Sequence, residues 1–194
     1  MRPSQGVPTS PITGVPGWET NEEERALIQL ANRVPKGGTI VELGSEYGRS
    51  AAAFAKGAGE SVQIYSFDLF PDDHPEVGRL IDAYKVNLTE AGFMGRTQMI
   101  RFDSAEGGHQ WKYGPVHLLF IDADHSYEGA LRDAMAWSEH VALGGVIAFH
   151  DCAIDANSHP LHHEVNKAIH EWRDVSKWQE MPQVDSLRIF RRVR

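Results

Sequence analysis

The stretch Val41-Glu42-Leu43-Gly44-Ser45-Glu46-Tyr47-Gly48-Arg49-Ser50 carries the chain out of a β-branched, apolar run and into an Ala-rich one. Thr39 to Leu43 reads as a short strand ended by Gly44, and Ser50 to Lys56 as the helix that follows. In an open parallel sheet such a first turn is where ligands bind. Gly44 lets the backbone turn tightly and lets a ligand approach it, and Gly48 lets the helix start pack closely. The spacing is Gly-x-x-x-Gly, not the Gly-x-Gly-x-x-Gly that cradles a pyrophosphate, which speaks against a dinucleotide. The acidic Glu42 just before the turn suits a positively charged ligand better than a phosphate. On this segment alone, glycines that merely punctuate a turn remain an equal alternative.

Outward from the turn, β-like and helix-like segments alternate. Thr20 with Glu23 three residues on is a capping-box signature, and Ala26, Leu27, Leu30, Ala31 and Val34 recur at helical spacing until Pro35 and Gly37-Gly38. Downstream, Val62 to Phe67 reads as a strand, Glu76 to Ala91 as a helix, Thr97 to Phe102 as a strand and Ala105 to Gln110 as a weak helix. Val116 to Ile121 is an almost continuous apolar strand, as expected when both faces are covered. A helix is expected over Tyr127 to Val141 and a strand over Val146 to Phe149, after Gly144-Gly145. Alternation at this spacing means βαβ units and a mostly parallel sheet with helices on both faces. After a helix around Val165 to Trp172, the segments Val175 to Gln179 and Ser186 to Val193 are separated by too little chain for a crossover and are expected to pair antiparallel.

Asp68 ends the second strand roughly 20 residues after the glycine turn, where an acidic side chain accepts both hydrogen bonds of a ribose diol. The pattern Glu42-x-Gly44-x-x-x-Gly48, Asp68 ending strand two, Asp103 after strand three and an antiparallel final strand resembles the class I S-adenosylmethionine-dependent methyltransferases. That resemblance covers nearly all of the chain from Thr20 onward. It implies an α/β, Rossmann-like, doubly wound, mostly parallel seven-stranded sheet with an antiparallel C-terminal strand. It also implies that Glu42, Gly44 and Gly48 line the methionine portion of the cofactor, with Ser45 and Ser50 beside them. Asp68 would hold the ribose hydroxyls, and Asp103 and Ser104 would lie near the adenine.

Strand four ends in Ile121-Asp122-Ala123-Asp124-His125-Ser126-Tyr127, and strand five in Phe149-His150-Asp151. Two neighbouring parallel strands therefore deliver Asp122 and the His150-Asp151 pair to the edge that carries the glycine turn. Oxygen ligands converging there suit a hard divalent cation such as magnesium. These segments look like the metal-dependent small-molecule O-methyltransferases of antibiotic and sugar biosynthesis. By that resemblance Asp122, His150 and Asp151 are the metal ligands, and Asp122 also adjoins the cofactor. The nitrogen of His150 departs from the oxygen ligands more usual there and would favour manganese or another transition metal over magnesium. Asp122, His125 and His150 are the candidate catalytic residues, the metal lowering the pKa of a substrate hydroxyl and either histidine taking its proton. The plainer readings are that Asp122 caps the helix near Ser126 or bonds a cofactor amino group, and that His125 bonds a backbone carbonyl. His159, His162 and His163 read as a polar loop, Trp137 and Trp172 as core, and Cys152 as a small apolar side chain.

The expected reaction is O-methylation of a small hydroxylated metabolite. Two competitors are a nicotinamide-dependent oxidoreductase, since Asp68 would suit either ribose, and a non-catalytic nucleotide-binding domain of the same fold. The chain has 194 residues, with 19 Lys plus Arg against 27 Asp plus Glu, a net charge of -8 and 41% hydrophobic residues. It fits one globular domain over 19-194 behind a flexible arm, residues 1-18, that holds four of the ten prolines. The acidic excess repels phosphate backbones, so no nucleic-acid partner is expected, and Arg191, Arg192 and Arg194 read as a solvated tail. A single Cys excludes an internal disulfide framework. No segment reads as a membrane span or signal peptide, so the expected compartment is the cytoplasm. The substrate pocket is expected from the arm, from Phe70 to Val77 and from the loop after Asp151, and the Pro-rich arm offers a means of exchange within a homo-oligomer.

Overall fold

The computed structural model describes residue 12 and residues 14–70, 77–152 and 159–194. Most of the arm, positions 71–76 of the Phe70 to Val77 segment, and positions 153–158 of the loop after Asp151 lie outside the described residues. Thr20 begins the first helix, α1 (Asn21–Asn32), through a complete capping box with Glu23. The alternation then runs β1 (Thr39–Leu43), α2 (Arg49–Gly57), β2 (Gln63–Asp68), α3 (Val77–Glu90), β3 (Gln98–Arg101), α4 (Ser104–His109) and β4 (Val116–Ile121). It continues with α5 (Tyr127–Trp137), β5 (Val141–Phe149), α6 (Pro160–Trp172), β6 (Trp178–Glu180) and β7 (Arg188–Arg192).

The seven strands form one sheet in the order β3-β2-β1-β4-β5-β7-β6. Strands β1 to β5 are parallel, and β7 runs antiparallel to both β5 and β6. All five residues of β1 are buried, as expected of a strand covered on both faces. One face packs Phe149, Trp137, Trp172 and their neighbours under α4, α5 and α6, and the other packs Ile40, Phe120 and Ile189 under α1 and α2. The crossovers leave β1 toward β3 and return to β4, so the carboxyl ends of β1 and β4 flank the point where strand order reverses. Register pairs Leu43 with both Phe67 and Ile121, and Ile121 with Phe149, which brings Asp68, Asp122 and His150 to one edge.

Five local expectations are corrected. Helix α5 stops at Trp137 instead of reaching Val141, and a 3-10 turn over Ser138–His140 leads straight into β5. Gly144-Gly145 therefore lies inside β5, at a register irregularity, and not ahead of it. The cause is remote in sequence: the Arg192 guanidinium donates to the carbonyls of Ser138, Glu139 and Val141 at 3.3, 3.1 and 2.6 Å. Arg191 and Arg192 accordingly belong to β7 and are not tail residues. His159, His162 and His163 sit at the N-cap and first turn of α6, with Pro160 at its start, and do not form a loop. Finally, Ile12 and Val15, from the stretch read as a flexible arm, are buried against Ala51, Ala52, Tyr84 and Leu88. Two apolar side chains suffice there because Arg49 also donates to the Val15 carbonyl and Ile12 N–H donates to Glu24.

Candidate active site

A cavity of about 460 Å3 opens at the carboxyl edge of the sheet, over the β1 and β4 ends, within the range of small-molecule sites. It is walled by Gly44 to Tyr47 and Ser50 after β1, Asp68 and Leu69 after β2, and Asp103 and Ser104 after β3. Asp122 to His125 after β4, and His150 and Asp151 after β5, complete the edge. Pro16 to Trp18, the end of the arm expected to help build the substrate pocket, form a further wall together with Glu19. Seven carboxylate side chains line it against two arginines, and both arginines are already paired: Arg49 with Glu24 at 2.9 Å, and Arg132 with Asp103 at 3.0 Å. Burial, then repulsion from Asp122, raises the pKa of Glu19. The cavity is thus an acidic environment for a cationic ligand, with no unpaired arginine among its described residues to receive a phosphate.

Gly44 and Gly48 both have φ of +86°, so each needs glycine. A Cβ on Gly44 would stand 2.2 Å from the Asp122 carbonyl oxygen, and one on Gly48 would stand 2.9 Å from the Tyr84 ring. Close approach at Gly44 therefore serves the β1 and β4 ends, which lock against each other, as well as the cavity. The Asp68 carboxylate organises the turn from below: Oδ2 accepts from the N–H groups of Ser45 and Glu46 at 2.9 and 3.0 Å, and Oδ1 from Phe70 at 2.9 Å. Asp103 caps α4 and Ser104 donates to Asp133 at 2.6 Å, both at the cavity wall. Glu46, Phe70 and Asp151 hold positive φ, so strained backbone collects after the ends of β1, β2 and β5.

Glu42 is placed elsewhere than expected. It is fully buried beneath the turn and does not line the cavity, because its position in β1 turns it to the α2 side, where Ser45 Oγ donates to it at 2.9 Å. Burial pushes its pKa up to about 7 against the stabilising hydroxyls of Ser50, Ser66 and Ser45. Its Oε1 has no hydrogen-bond partner. Gly48 likewise supports the turn from outside the cavity wall.

Asp122, His125 and Asp151 converge with ligand atoms within 4.8 Å of one another. His125 Nε2 lies 3.0 Å from Asp122 and 3.4 Å from Asp151, and the hydrogen bond to Asp122 raises its pKa. Burial would raise that of Asp122, but the charge of His150 and the bonds from His125 and His150 hold it below the usual carboxylate range. His150 does not offer the expected ligand or base nitrogen. It is 3% exposed, with Nδ1 3.2 Å from Asp122 and Nε2 3.3 Å from Glu23. Burial opposes its charge, but two flanking carboxylates prevail and raise its pKa, so both nitrogens act as donors. It is the His125 nitrogen, on the cavity side, that lies with the Asp122 and Asp151 oxygens. Asp122 caps no helix, since Ser126 caps α5. His162, unassigned from sequence, lies 3.3 Å from the far oxygen of Asp151. Cys152 and the two tryptophans Trp137 and Trp172 are core residues, as expected, and burial pushes the Cys152 thiol up to about 12.

A doubly wound sheet with an antiparallel last strand, and an acidic cavity at its reversal point, define the architecture of a class I, Rossmann-like methyltransferase. The chain belongs to the methyltransferase domain family, which it matches over residues 41–152. It is 26% identical over 150 residues to catechol O-methyltransferase of Mycobacterium tuberculosis, a match spanning 77% of this chain and 64% of that protein's length. In fold it is similar to an O-methyltransferase from Bacillus cereus solved with S-adenosylhomocysteine (TM-score 0.68, 18% identity, 93% of this chain and 84% of the other). It is similar also to TomG from Streptomyces achromogenes, involved in tomaymycin synthesis and solved with S-adenosylmethionine (TM-score 0.66, 14% identity, 90% and 81%). No helix among the described residues is long and apolar enough to cross a membrane.

Proposed function

We propose that this chain transfers a methyl group from S-adenosylmethionine to a hydroxyl oxygen of a small acceptor, assisted by a divalent cation at Asp122, His125 and Asp151. The observation that carries the reading is the carboxylate-rich cavity at the strand-order reversal of a methyltransferase-domain chain, its two arginines already paired. Such a lining fits a sulfonium and a divalent cation, and it disfavours the pyrophosphate of a nicotinamide cofactor. Two carboxylates and one imidazole suit magnesium less exclusively than an all-oxygen set and admit manganese or another transition ion. When bound, the cofactor supplies an electrophilic methyl and the cation a Lewis acid that lowers the pKa of a coordinated hydroxyl. Asp68, fixed by three backbone N–H groups, retains one lone pair, on Oδ1, to accept from a ribose hydroxyl. Gly44, Ser45 and Ser50 form the turn beneath the methionine portion, while Asp103 and Ser104 border the adenine end. His125, counted among the cation's ligands, has no lone pair left to take a proton, and rigid placement of nucleophile against methyl supplies much of the rate.

Calorimetric titration of protein dialysed free of divalent ions, with S-adenosylmethionine, S-adenosylhomocysteine and NAD, then with Mg2+ and Mn2+, tests the reading. Saturable heats for the sulfur nucleotides and not NAD, and a cation heat abolished by Asp151→Ala, are expected. Binding of NAD alone would overturn the cofactor assignment. Full turnover and an unchanged cation response in Asp122→Ala would overturn the cation.

A further inference from the structure

We propose that Glu23, on α1 and outside the cavity, is a positioning residue for Asp122 that acts through His150. The claim rests on the reading that Asp122 holds a cation. Glu23 is 1% exposed and every contact of its carboxylate is internal. Oε1 accepts from the Ser186 N–H at 2.7 Å and from its hydroxyl at 2.6 Å, while Oε2 accepts from the Thr20 N–H at 2.8 Å and faces His150 Nε2 at 3.3 Å. A capping-box glutamate needs only the Thr20 bond to complete its helix. The reach to His150 adds nothing to the cap.

Its effect lies on the other side of the ring. The imidazole is rigid, so fixing Nε2 aims Nδ1, which meets Asp122 Oδ1 at 3.2 Å. The Phe120 ring, centred 6.1 Å from that of His150, packs beside it. His125 meets the same Asp122 oxygen at 3.0 Å from the cavity side. Asp122 is thus held between one partner that faces the cavity and one anchored in the interior. Through Glu23 that anchor extends to the start of α1 and to Ser186, just ahead of β7. Outer partners of this kind orient a coordinating carboxylate, and their loss typically weakens metal binding by about 10- to 100-fold.

The test is Mn2+ affinity, measured calorimetrically on the full chain dialysed free of divalent ions, for wild type, Glu23→Gln, His150→Gln, the double variant and Ser186→Ala. Glu23→Gln is expected to weaken Mn2+ binding by about tenfold or more, and the double variant to bind no more weakly than His150→Gln alone. Ser186→Ala removes a bond to Glu23 without touching His150, so it is expected to lower the melting temperature and keep Mn2+ affinity within about twofold of wild type. Should Glu23→Gln fail to fold, Glu23→Asp, which keeps the charge but draws it back from His150, carries the same comparison. Unchanged affinity in a folded Glu23 variant beside a wild type that binds Mn2+ would overturn the positioning role alone. So would losses that add in full in the double variant. A wild type without saturable Mn2+ binding would overturn the cation reading and this inference with it.

Discussion

Glu42 shows what a single buried carboxylate does to the pH response of the molecule. Its pKa is near 4.5 when exposed and rises to about 7 in the fold because burial disfavours the charge. A raised folded-state value means that the folded form holds the proton more tightly. The associated stability is complete below the unfolded pKa and is lost as pH climbs through about 7, by about 3 kcal/mol in total. Glu42→Gln is therefore expected to flatten the fall in melting temperature between about pH 4.5 and 7, and an undiminished slope there would count against this assignment. Asp133, raised to about 6 by burial, acts with the same sign and leaves a smaller, earlier decline in that variant. At this scale the sequence was partly legible. Asp68, Asp122 and Asp151 follow strand ends, and parallel strands bring such positions to one edge. Which face Glu42 takes, and that His150 turns inward to Glu23, depend on partners 127 residues apart and on burial, neither of which spacing encodes.

Among the elements, the alternation that sets strand order was readable because each strand is a compact apolar run and each helix has its own stop signal. The end of α5 was not. Periodicity continues past Trp137, but Arg192 on β7 takes up the carbonyls of Ser138, Glu139 and Val141 and closes the helix into a 3-10 turn. Arg192→Ala would leave the partly buried carbonyls of Ser138 and Val141, and the exposed one of Glu139, short of a donor, at a cost of about 1–3 kcal/mol. For a domain of this size that corresponds to a melting temperature lower by roughly 2–4 °C per kcal/mol. A denaturant midpoint identical to wild type would show that water replaces the guanidinium without penalty. The first turn of α6 is similar, since His162 meets Asp151, eleven residues earlier in the chain, only in the folded structure.

Over the whole molecule, the excess of acid is not spread evenly in its consequences, because seven carboxylates share one cavity. Attraction of that cavity for a sulfonium is screened by salt over a Debye length of about 10 Å at 0.1 M. S-adenosylmethionine affinity is therefore expected to fall more steeply with added NaCl than that of the uncharged sulfide S-adenosylhomocysteine, and parallel salt profiles would show that the charges do not act on the sulfur. The wall formed by Pro16 to Glu19 carries a different consequence, an optical one. Of the five tryptophans, Trp111, Trp137, Trp172 and Trp178 are buried, whereas Trp18 stands at the cavity mouth with 80% of its surface in water. Excited at its red edge, the protein should emit mainly from this one indole. A nucleotide settling beneath it would quench and blue-shift that emission, and the signal should vanish in Trp18→Phe while the four interior fluorophores remain. The molecule thus carries a built-in lamp over its own binding site, by which occupancy can be followed without any label.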